Sequence, residues 1–145
     1  MRIVLDEGAF MPTRAYPNDA GLDLYSRETK YIPVNGSAVF NTGVHIELPP
    51  NTYGKLESKS GLNVNNGIVS CGGVIDEGYT GSIAVKLYNF GRKPYTFNRG
   101  DKIAQLIVNP CLYEKVELGE INKNTERGDN GFGSTGASDP SMITG

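Results

Sequence analysis

Residues 44–48 read Val-His-Ile-Glu-Leu and residues 83–87 read Ile-Ala-Val-Lys-Leu, and in both stretches every second residue is large and apolar. A period of two places alternate side chains on one face of a β-strand. Turn-forming residues recur at short intervals, as at Asn35-Gly36, Pro49-Pro50 and Asn98-Arg99-Gly100. No segment of ten or more residues has a helical period. The pattern predicts an all-β fold, either a barrel or a double-sheet jelly roll.

Three further segments are strand candidates: Arg2–Leu5, Lys102–Val108 and Leu112–Leu118. The stretch from Ser60 to Asn63 is expected to form at most a short helical turn. The composition changes near residue 120, so we predict a β core over residues 1–120 and a flexible C-terminal arm over 121–145. Residues 137–145 are expected to be disordered.

Composition excludes several classes of function. The chain has 145 residues and a net charge of −2, which gives no general attraction to nucleic acid or to anionic membranes. No apolar run could span a bilayer and no signal peptide is recognisable, so a cytoplasmic protein is expected. Cys71 and Cys111 are too few for a disulfide framework or a four-ligand metal site, and buried free thiols are expected. The single histidine, His45, is expected to face solvent from a strand.

The arm carries a polar, glycine-rich stretch at residues 127–136, Arg-Gly-Asp-Asn-Gly-Phe-Gly-Ser-Thr-Gly. Successive backbone N–H groups without large side chains can form a concave nest for anions. A cation, such a nest and one aromatic ring together suggest a flap that closes over a nucleoside polyphosphate. The alternative is a disordered Gly/Ser tail.

Four other segments carry polar groups that a strand protein does not need for folding. Asp23 lies between two leucines, so it either faces solvent or is buried and paired. Lys59-Ser60-Gly61 offers a cation, a hydroxyl and an unobstructed backbone donor to phosphate oxygens. Asp76 follows an apolar strand and is either a turn residue or a functional one, with the ring of Tyr79 close by to face a sugar. Gln105, inside a strand, can contact a ligand or simply face solvent.

In their order and spacing, these five segments resemble the five sequence motifs of the trimeric dUTP pyrophosphatases (dUTPases). The resemblance runs from about Met11 to Gly136, and its most specific parts are GVIDEGYTG at 73–81 and RGDNGFGSTG at 127–136. It implies a β jelly roll assembled as a homotrimer, with active sites at subunit interfaces. Each site would combine the motifs around Asp23, Lys59 and Gln105 (one, two and four) of one chain with the motif around Asp76 (three) of a second chain. The arm of a third chain would complete it.

The resemblance also implies an activity. A dUTP diphosphatase hydrolyses dUTP to dUMP and pyrophosphate, which keeps uracil out of DNA and supplies dUMP for dTMP synthesis. Asp76 would activate the water that attacks the α-phosphate. Mg²⁺ would be bound mainly through the triphosphate, and Asp23 would reach it through water. The residues implied to bind substrate are Lys59, Ser60, Gly61, Gly73, Ile75, Tyr79, Gln105, Arg127, Phe132, Gly133, Ser134 and Thr135.

Within this scheme, a β-hairpin from Gly67 to Asp76 would read the uracil edge and Tyr79 would lie under the deoxyribose. Three positions depart from the family pattern: Lys59 stands where arginine is usual, Thr80 where arginine is common and Ser82 where glutamate is common. Two alternatives remain open at this point. One is a dCTP deaminase-like enzyme of the same fold, and the other is a dUTP-responsive regulator that acts through a protein partner.

Overall fold

The computed structural model describes residues 1–142. The described residues form eleven β-strands, one α-helix and one short 3-10 helix at Pro140–Met142. The strands are β1 (Arg2–Leu5), β2 (Leu22–Tyr25), β3 (Lys30–Ile32), β4 (Ser37–Asn41), β5 (Val44–Glu47), β6 (Thr52–Glu57), β7 (Ile68–Cys71), β8 (Val74–Ile75), β9 (Ala84–Asn89), β10 (Tyr95–Phe97) and β11 (Lys102–Pro110). The helix α1 spans Ser60–Asn66, between β6 and β7.

The strands form four antiparallel sheets. Their orders are β1-β5, β10-β3, β2-β11-β6-β8 and β4-β9-β7. Over residues 1–142 these sheets do not close into a continuous hydrogen-bonded barrel. The all-β, jelly-roll-like prediction is confirmed, since packed sheets with short connections account for the regular structure of the core.

The two alternating stretches supply the core as predicted. Val44 and Ile46 of β5 are buried, as are Val85 and Leu87 of β9. They belong to one cluster of sixteen buried apolar residues, in which the rings of Phe40 and Phe97 meet edge to face with centroids 5.3 Å apart. Burial of one face of each strand therefore fixes the register of the sheets.

Three local predictions were wrong. Residues 112–118 form no strand, because β11 ends at Pro110 and no neighbouring strand takes up the backbone that follows. The helix α1 is longer than the predicted turn, and it ends at Gly67 in the left-handed conformation (φ 67°), whose N–H donates to the carbonyl of Asn63. The cysteines are free, but Cys71 is exposed and Cys111 is half-buried.

The chain divides into two compact units, Met1–Tyr113 and Glu114–Gly145. The second unit begins before the predicted boundary at residue 120, and its described part contains turns rather than strands. Residues 143–145 lie outside the described residues, so the disorder expected for 137–145 stays a prediction. No helix of the described residues is long and apolar enough to cross a membrane.

Candidate active site

A cavity of about 210 Å³ lies beside β8. Its lining includes four predicted site residues: Gly73, Ile75, Asp76 and Tyr79. Ile75 is buried at the end of β8, whereas the side chain of Asp76, the next residue, is exposed. The strand thus anchors the segment through Ile75 and presents the carboxylate of Asp76 to the cavity.

Gly73 is required at this cavity by both conformation and space. Its φ is 94°, a region that glycine adopts without strain, and a Cβ at this position would lie 2.8 Å from the Cβ of Leu56. Its carbonyl accepts a hydrogen bond from the N–H of Leu56 at 2.7 Å. The backbone here is therefore pressed against β6, and a side chain would displace it.

The predicted hairpin between Gly67 and Asp76 is not a hydrogen-bonded ladder, which corrects that expectation. The strand β7 pairs with β9 in one sheet, and β8 pairs with β6 in another. The two glycines between them, Gly72 and Gly73, both have positive φ and let the chain cross from one sheet to the other. Because β7 and β8 each pair away from the other, their facing backbone edges are not joined to each other.

The segment after Asp76 holds the ring of Tyr79 at the mouth of the cavity. The N–H of Tyr79 donates to the carbonyl of Asp76 at 3.0 Å and closes a turn. Its hydroxyl donates to the carbonyl of Ser82 at 3.0 Å, which leaves the ring 46% exposed. The backbone and the hydroxyl of Tyr79 are therefore both held by hydrogen bonds, while about half of the residue stays exposed.

A second cluster surrounds Asp23 on β2, and the paired alternative for this residue is confirmed. Asp23 is only 3% exposed, and its two carboxylate oxygens face the Nζ atoms of Lys59 at 2.5 Å and Lys102 at 2.9 Å. Burial by itself opposes ionisation of Asp23, but the hydrogen bonds and charges of the two lysines outweigh it and lower the pKa of Asp23. The same pairing raises the pKa of Lys102. One carboxylate between two ammonium groups leaves a net positive charge for an anion.

The other predicted residues of this cluster lie nearby. Gln105 of β11 is the direct strand partner of Asp23, and its Nε2 donates to the carbonyl of Ser58 at 3.0 Å. Gln105 thus braces the segment that leads into Lys59. Ser60 and Gly61 begin α1 and are exposed. A Cβ at Gly61 would meet no atom within 4 Å, so the backbone there is open to solvent.

The structure does not bring these two clusters together within one chain. Asp23 and Ile75 lie on β2 and β8, the two edge strands of the four-stranded sheet, with β11 and β6 between them. At about 4.8 Å per strand spacing, the two edges are roughly 14 Å apart. Each cluster by itself is chemically incomplete as a site for a nucleoside triphosphate.

The predicted residues of the arm form a third cluster within the second unit. A cavity of about 380 Å³ is lined in part by Arg127, Ser134 and Thr135. The Nε of Arg127 donates to the carbonyl of Asn130 at 3.0 Å. Phe132 and Gly133 both have positive φ, and the ring of Phe132 is fully exposed. The N–H groups of Ser134 and Gly136 donate to the carbonyls of Gly131 and Gly133, so these amides close turns within the chain and the predicted anion nest stays a prediction.

The fit of Mg²⁺ can be tested against these side chains. The described residues contain no group of three histidine, cysteine, aspartate or glutamate side chains that could hold a metal ion. The nearest carboxylate to the positive cluster, Asp23, already faces an ammonium group at each oxygen. The described side chains therefore form no protein cage for a metal ion.

The sequence did not reveal the contacts of three further residues. Lys102 pairs with Asp23. The available signal was that Lys102 stands three residues before Gln105, in a segment already considered for ligand contacts. His45 lies on the outer face of β5, as expected, but its side chain is half-buried, and its two ring nitrogens lie within hydrogen-bond distance of Thr80 and Asp6. Glu77 accepts hydrogen bonds from the N–H of Asn51 and, at 3.1 Å, from the hydroxyl of Tyr113, and so braces the turn that carries Asp76. The contacts of His45 and Glu77 join residues that are distant in sequence, so no local sequence pattern predicts them.

Known proteins resemble this chain over nearly its whole length. A family model described as dUTPase matches residues 7–136. The deoxyuridine 5'-triphosphate nucleotidohydrolase of Crocosphaera subtropica is 43% identical over 136 residues, covering 92% of this chain and 96% of that protein. The human mitochondrial protein of the same name is 43% identical over 132 residues, covering 91% of this chain and 52% of that one.

Solved structures give the same result. The dUTPase of Staphylococcus bacteriophage 80alpha with dUPNHPP has a TM-score of 0.86 and 28% identity, covering 93% of this chain and 97% of that one. A variant of the dUTPase from phage phi11 of S. aureus, described with a structural Mg(II) ion, has a TM-score of 0.77 and 28% identity, covering 83% and 96%.

Proposed function

The chain belongs to the dUTPase family, and we propose that it hydrolyses dUTP to dUMP and pyrophosphate, with Asp76 as the base that activates water. The observation that carries this proposal is the cavity beside β8, which places Asp76 and Tyr79 together with the crossing at Gly73. Backbone groups for the edge of a pyrimidine, an aromatic ring for a sugar and a carboxylate that can accept a proton would thereby lie at one cavity. The residue roles that follow belong to this proposal.

Selection of uracil would use backbone groups. Because β7 and β8 pair away from each other, a planar base can enter between their facing edges and bond to N–H and C=O groups there. Cytosine presents the opposite donor and acceptor at two positions and would leave buried backbone groups unpaired, at about 1–3 kcal/mol per group. The close packing of Gly73 on Leu56 would leave little space for the methyl group of thymine. Tyr79 would exclude a ribose 2′-hydroxyl by contact.

The chemical step is an in-line attack of water on the α-phosphorus. The carboxylate of Asp76 would accept the proton from that water, a contribution of typically about 10²–10⁴ in rate. Asp76 is exposed at the cavity and held between the buried Ile75 and the turn closed by Tyr79. Its carboxylate is therefore accessible to water, and its backbone is held in position.

The triphosphate would be bound by the other two clusters. Lys59, oriented by Asp23, would contact phosphate oxygens together with Ser60, Gly61 and Gln105. Arg127 of an arm would add a further cation, with Gly133, Ser134 and Thr135 as donors and Phe132 stacked on the base. Mg²⁺ is part of the substrate in this scheme and neutralises charge on the phosphates. Asp23 would reach the water shell of the ion through its remaining lone pairs.

Assembly as a homotrimer would bring the clusters together. Within one chain, Asp23 lies on one edge strand of the four-stranded sheet and Asp76 directly follows the other, and these two strands are roughly 14 Å apart by strand spacing. A neighbouring chain that supplies the missing cluster would complete each site. The arm, which by composition has no core of its own, would reach a site in the same way.

The first experiment measures pyrophosphate and ammonia released from dUTP, dCTP, UTP and dTTP. The proposal expects pyrophosphate from dUTP, with little from the other three nucleotides. Ammonia from dCTP would instead support the deaminase alternative. Binding of dUTP without turnover would support the regulatory one.

The second experiment tests the shared site. Chains with Asp76→Asn and chains truncated after Glu126 are each expected to lose turnover. Mixed trimers of the two should regain part of it, since some sites would combine an intact Asp76 with an intact arm. Trimers shown by mass to be mixed, yet without recovered activity, would refute sharing.

A further inference from the structure

His45 connects two parts of the molecule that are distant in sequence. It lies on β5, opposite Val4 of β1, and its ring lies between the residue that follows β1 and the loop that follows Tyr79. The Nδ1 atom is 2.7 Å from the carbonyl oxygen of Thr80, and the Nε2 atom is 3.0 Å from a carboxylate oxygen of Asp6. The side chain is 28% exposed and borders a surface cavity of about 560 Å³.

The protonation state of His45 decides whether both contacts can be hydrogen bonds. A carbonyl oxygen and a carboxylate oxygen are both acceptors, and neutral imidazole has only one N–H. Only the imidazolium form can donate to Thr80 and Asp6 at once. In the neutral form, one nitrogen lone pair would face an oxygen, so one of the two contacts would be lost.

The contact with Thr80 acts on the loop of the candidate active site. This loop runs from Asp76 to Ser82 and contains the flexible residues Gly78 and Gly81. At its first end, the N–H of Tyr79 bonds to the carbonyl of Asp76. At its last end, the hydroxyl of Ser82 accepts the N–H of Gly43 at 3.0 Å. Between these ends, Glu77 accepts hydrogen bonds from Asn51 and Tyr113, and the contact of His45 with Thr80 attaches the loop at the residue next to Tyr79.

The charged groups around His45 come from each element packed on it. From β1 and the turn after it come Arg2 and Asp6, and from β5 itself comes Glu47. Arg2 and Glu47 pair with each other at 3.5 Å, and Arg27 lies 3.7 Å from Asp6. The hydrogen bond to Thr80 is the largest effect and raises the pKa of His45; burial comes next and opposes it, and the hydrogen bond and charge of Asp6 add to the rise, so the pKa is raised.

We propose that His45 is a positioning residue for dUTP hydrolysis, whose imidazolium ties the Tyr79–Thr80 segment to Asp6 and so holds the sugar-contacting ring in place. The inference rests on the proposed function for its catalytic consequence, whereas the tie itself concerns only His45, Thr80 and Asp6. When the imidazolium loses a proton, one of the two hydrogen bonds is lost, and the loop from Asp76 to Ser82 becomes less tightly held.

The consequence has a defined direction. The tie is complete below the ordinary histidine pKa of about 6.5 and is lost as the pH rises through the raised pKa of His45. Over that range kcat/KM for dUTP should fall, and discrimination against UTP should weaken with it. A His45→Gln variant, which can donate at one position only, should show the lower kcat/KM at all pH values and no step in this range.

The direct test is an NMR titration, which is clear because His45 is the only histidine in the chain. The full-length protein is expected to show an imidazole pKa above 6.5, and the amide signals of Thr80 and Gly81 should titrate at the same pH. Asp6→Asn should lower the imidazole pKa, because it removes the negative charge that faces Nε2. Glu47→Gln is the matched control: it removes a nearby carboxylate that has no bond to His45, and the shift should be smaller.

The outcomes separate the two proposals. An imidazole pKa at or below 6.5, loop amides that do not follow the imidazole, or an equal shift from Glu47→Gln and Asp6→Asn would each overturn the tie. Unchanged pH dependence of kcat/KM in His45→Gln would overturn its positioning role. If the wild-type protein released no pyrophosphate from dUTP, the proposed function would fail while the titration still tested the tie.

Discussion

Replacing Asp23 by asparagine should destabilise the fold by an amount that the surrounding lysines determine. Asparagine keeps the shape and one acceptor oxygen but removes the charge between the ammonium groups of Lys59 and Lys102. Removing one partner of a fully buried ion pair costs about 3–5 kcal/mol. Here only the carboxylate is buried, with 4% of its side chain exposed, whereas the lysine side chains are 28% and 46% exposed and can turn toward water. We therefore expect a smaller loss, about 1–3 kcal/mol.

The loss should depend on pH in one direction. The lysines lower the pKa of Asp23 in the folded protein. Its contribution to stability is therefore complete above the unfolded value of about 3.9 and disappears as the pH falls through the lower folded pKa. The difference in unfolding free energy between wild type and Asp23→Asn should be constant from pH 5 upward and should shrink below about pH 4.

Urea unfolding at several pH values measures this difference. Protein concentration must be the same for all samples, because dissociation of the proposed trimer would contribute to the apparent stability. Glu57→Gln is the matched control: this neighbouring carboxylate pairs with Lys55 at 2.7 Å on the surface, so its change should stay below about 1 kcal/mol. A loss for Asp23→Asn below about 0.5 kcal/mol at pH 7, or one that did not shrink in acid, would refute the reasoning.

Three further predictions concern the reaction. Asp76→Asn should reduce turnover by about 10²–10⁴ while a non-hydrolysable dUTP analogue still binds in calorimetry; near-normal turnover would exclude Asp76 as the base. Tyr79→Leu should narrow the ratio of kcat/KM between dUTP and UTP, and an unchanged ratio would place sugar selection elsewhere. Lys59→Arg should be tolerated, since arginine keeps the charge and adds bidentate contacts, whereas Lys59→Ala should raise KM; an alanine variant with wild-type kinetics would remove Lys59 from the phosphate site.

The parts of the fold that the sequence predicted are those that local periodicity decides. The alternation at residues 44–48 and 83–87 requires one buried face, and β5 and β9 bury it. The strand predicted at residues 112–118 was wrong because that prediction also rested on local sequence alone. Apolar residues there could suit a strand, but a strand also needs a partner for its backbone, and whether a partner is present depends on the whole fold.

The candidate residues were named because five segments of the sequence resemble the dUTPase motifs in their order and spacing, and their roles stay predictions. Their supporting contacts could not be found in this way. The bond of His45 to Thr80 spans 35 positions, and that of Tyr113 to Glu77 spans 36. Such contacts follow from how the sheets pack. The crossing of the chain from β7 in one sheet to β8 in another could not be predicted either. The glycines between these strands are equally compatible with a hairpin and with a crossing.

The distribution of charge within one chain bears directly on how a complete site can form. A triphosphate needs several cations, whereas the water-activating carboxylate must act where the substrate's own negative charge is concentrated. In this chain Asp76 lies at one edge of the four-stranded sheet, and the cluster of Lys59, Asp23 and Lys102 lies near the other. This separation keeps Asp76 from being neutralised by the lysines in the isolated chain, as Asp23 is. In the proposed function, Asp76 and these cations would therefore meet only around a substrate bound between two chains, and the separation favours catalysis by the proposed assembly over catalysis by the single chain.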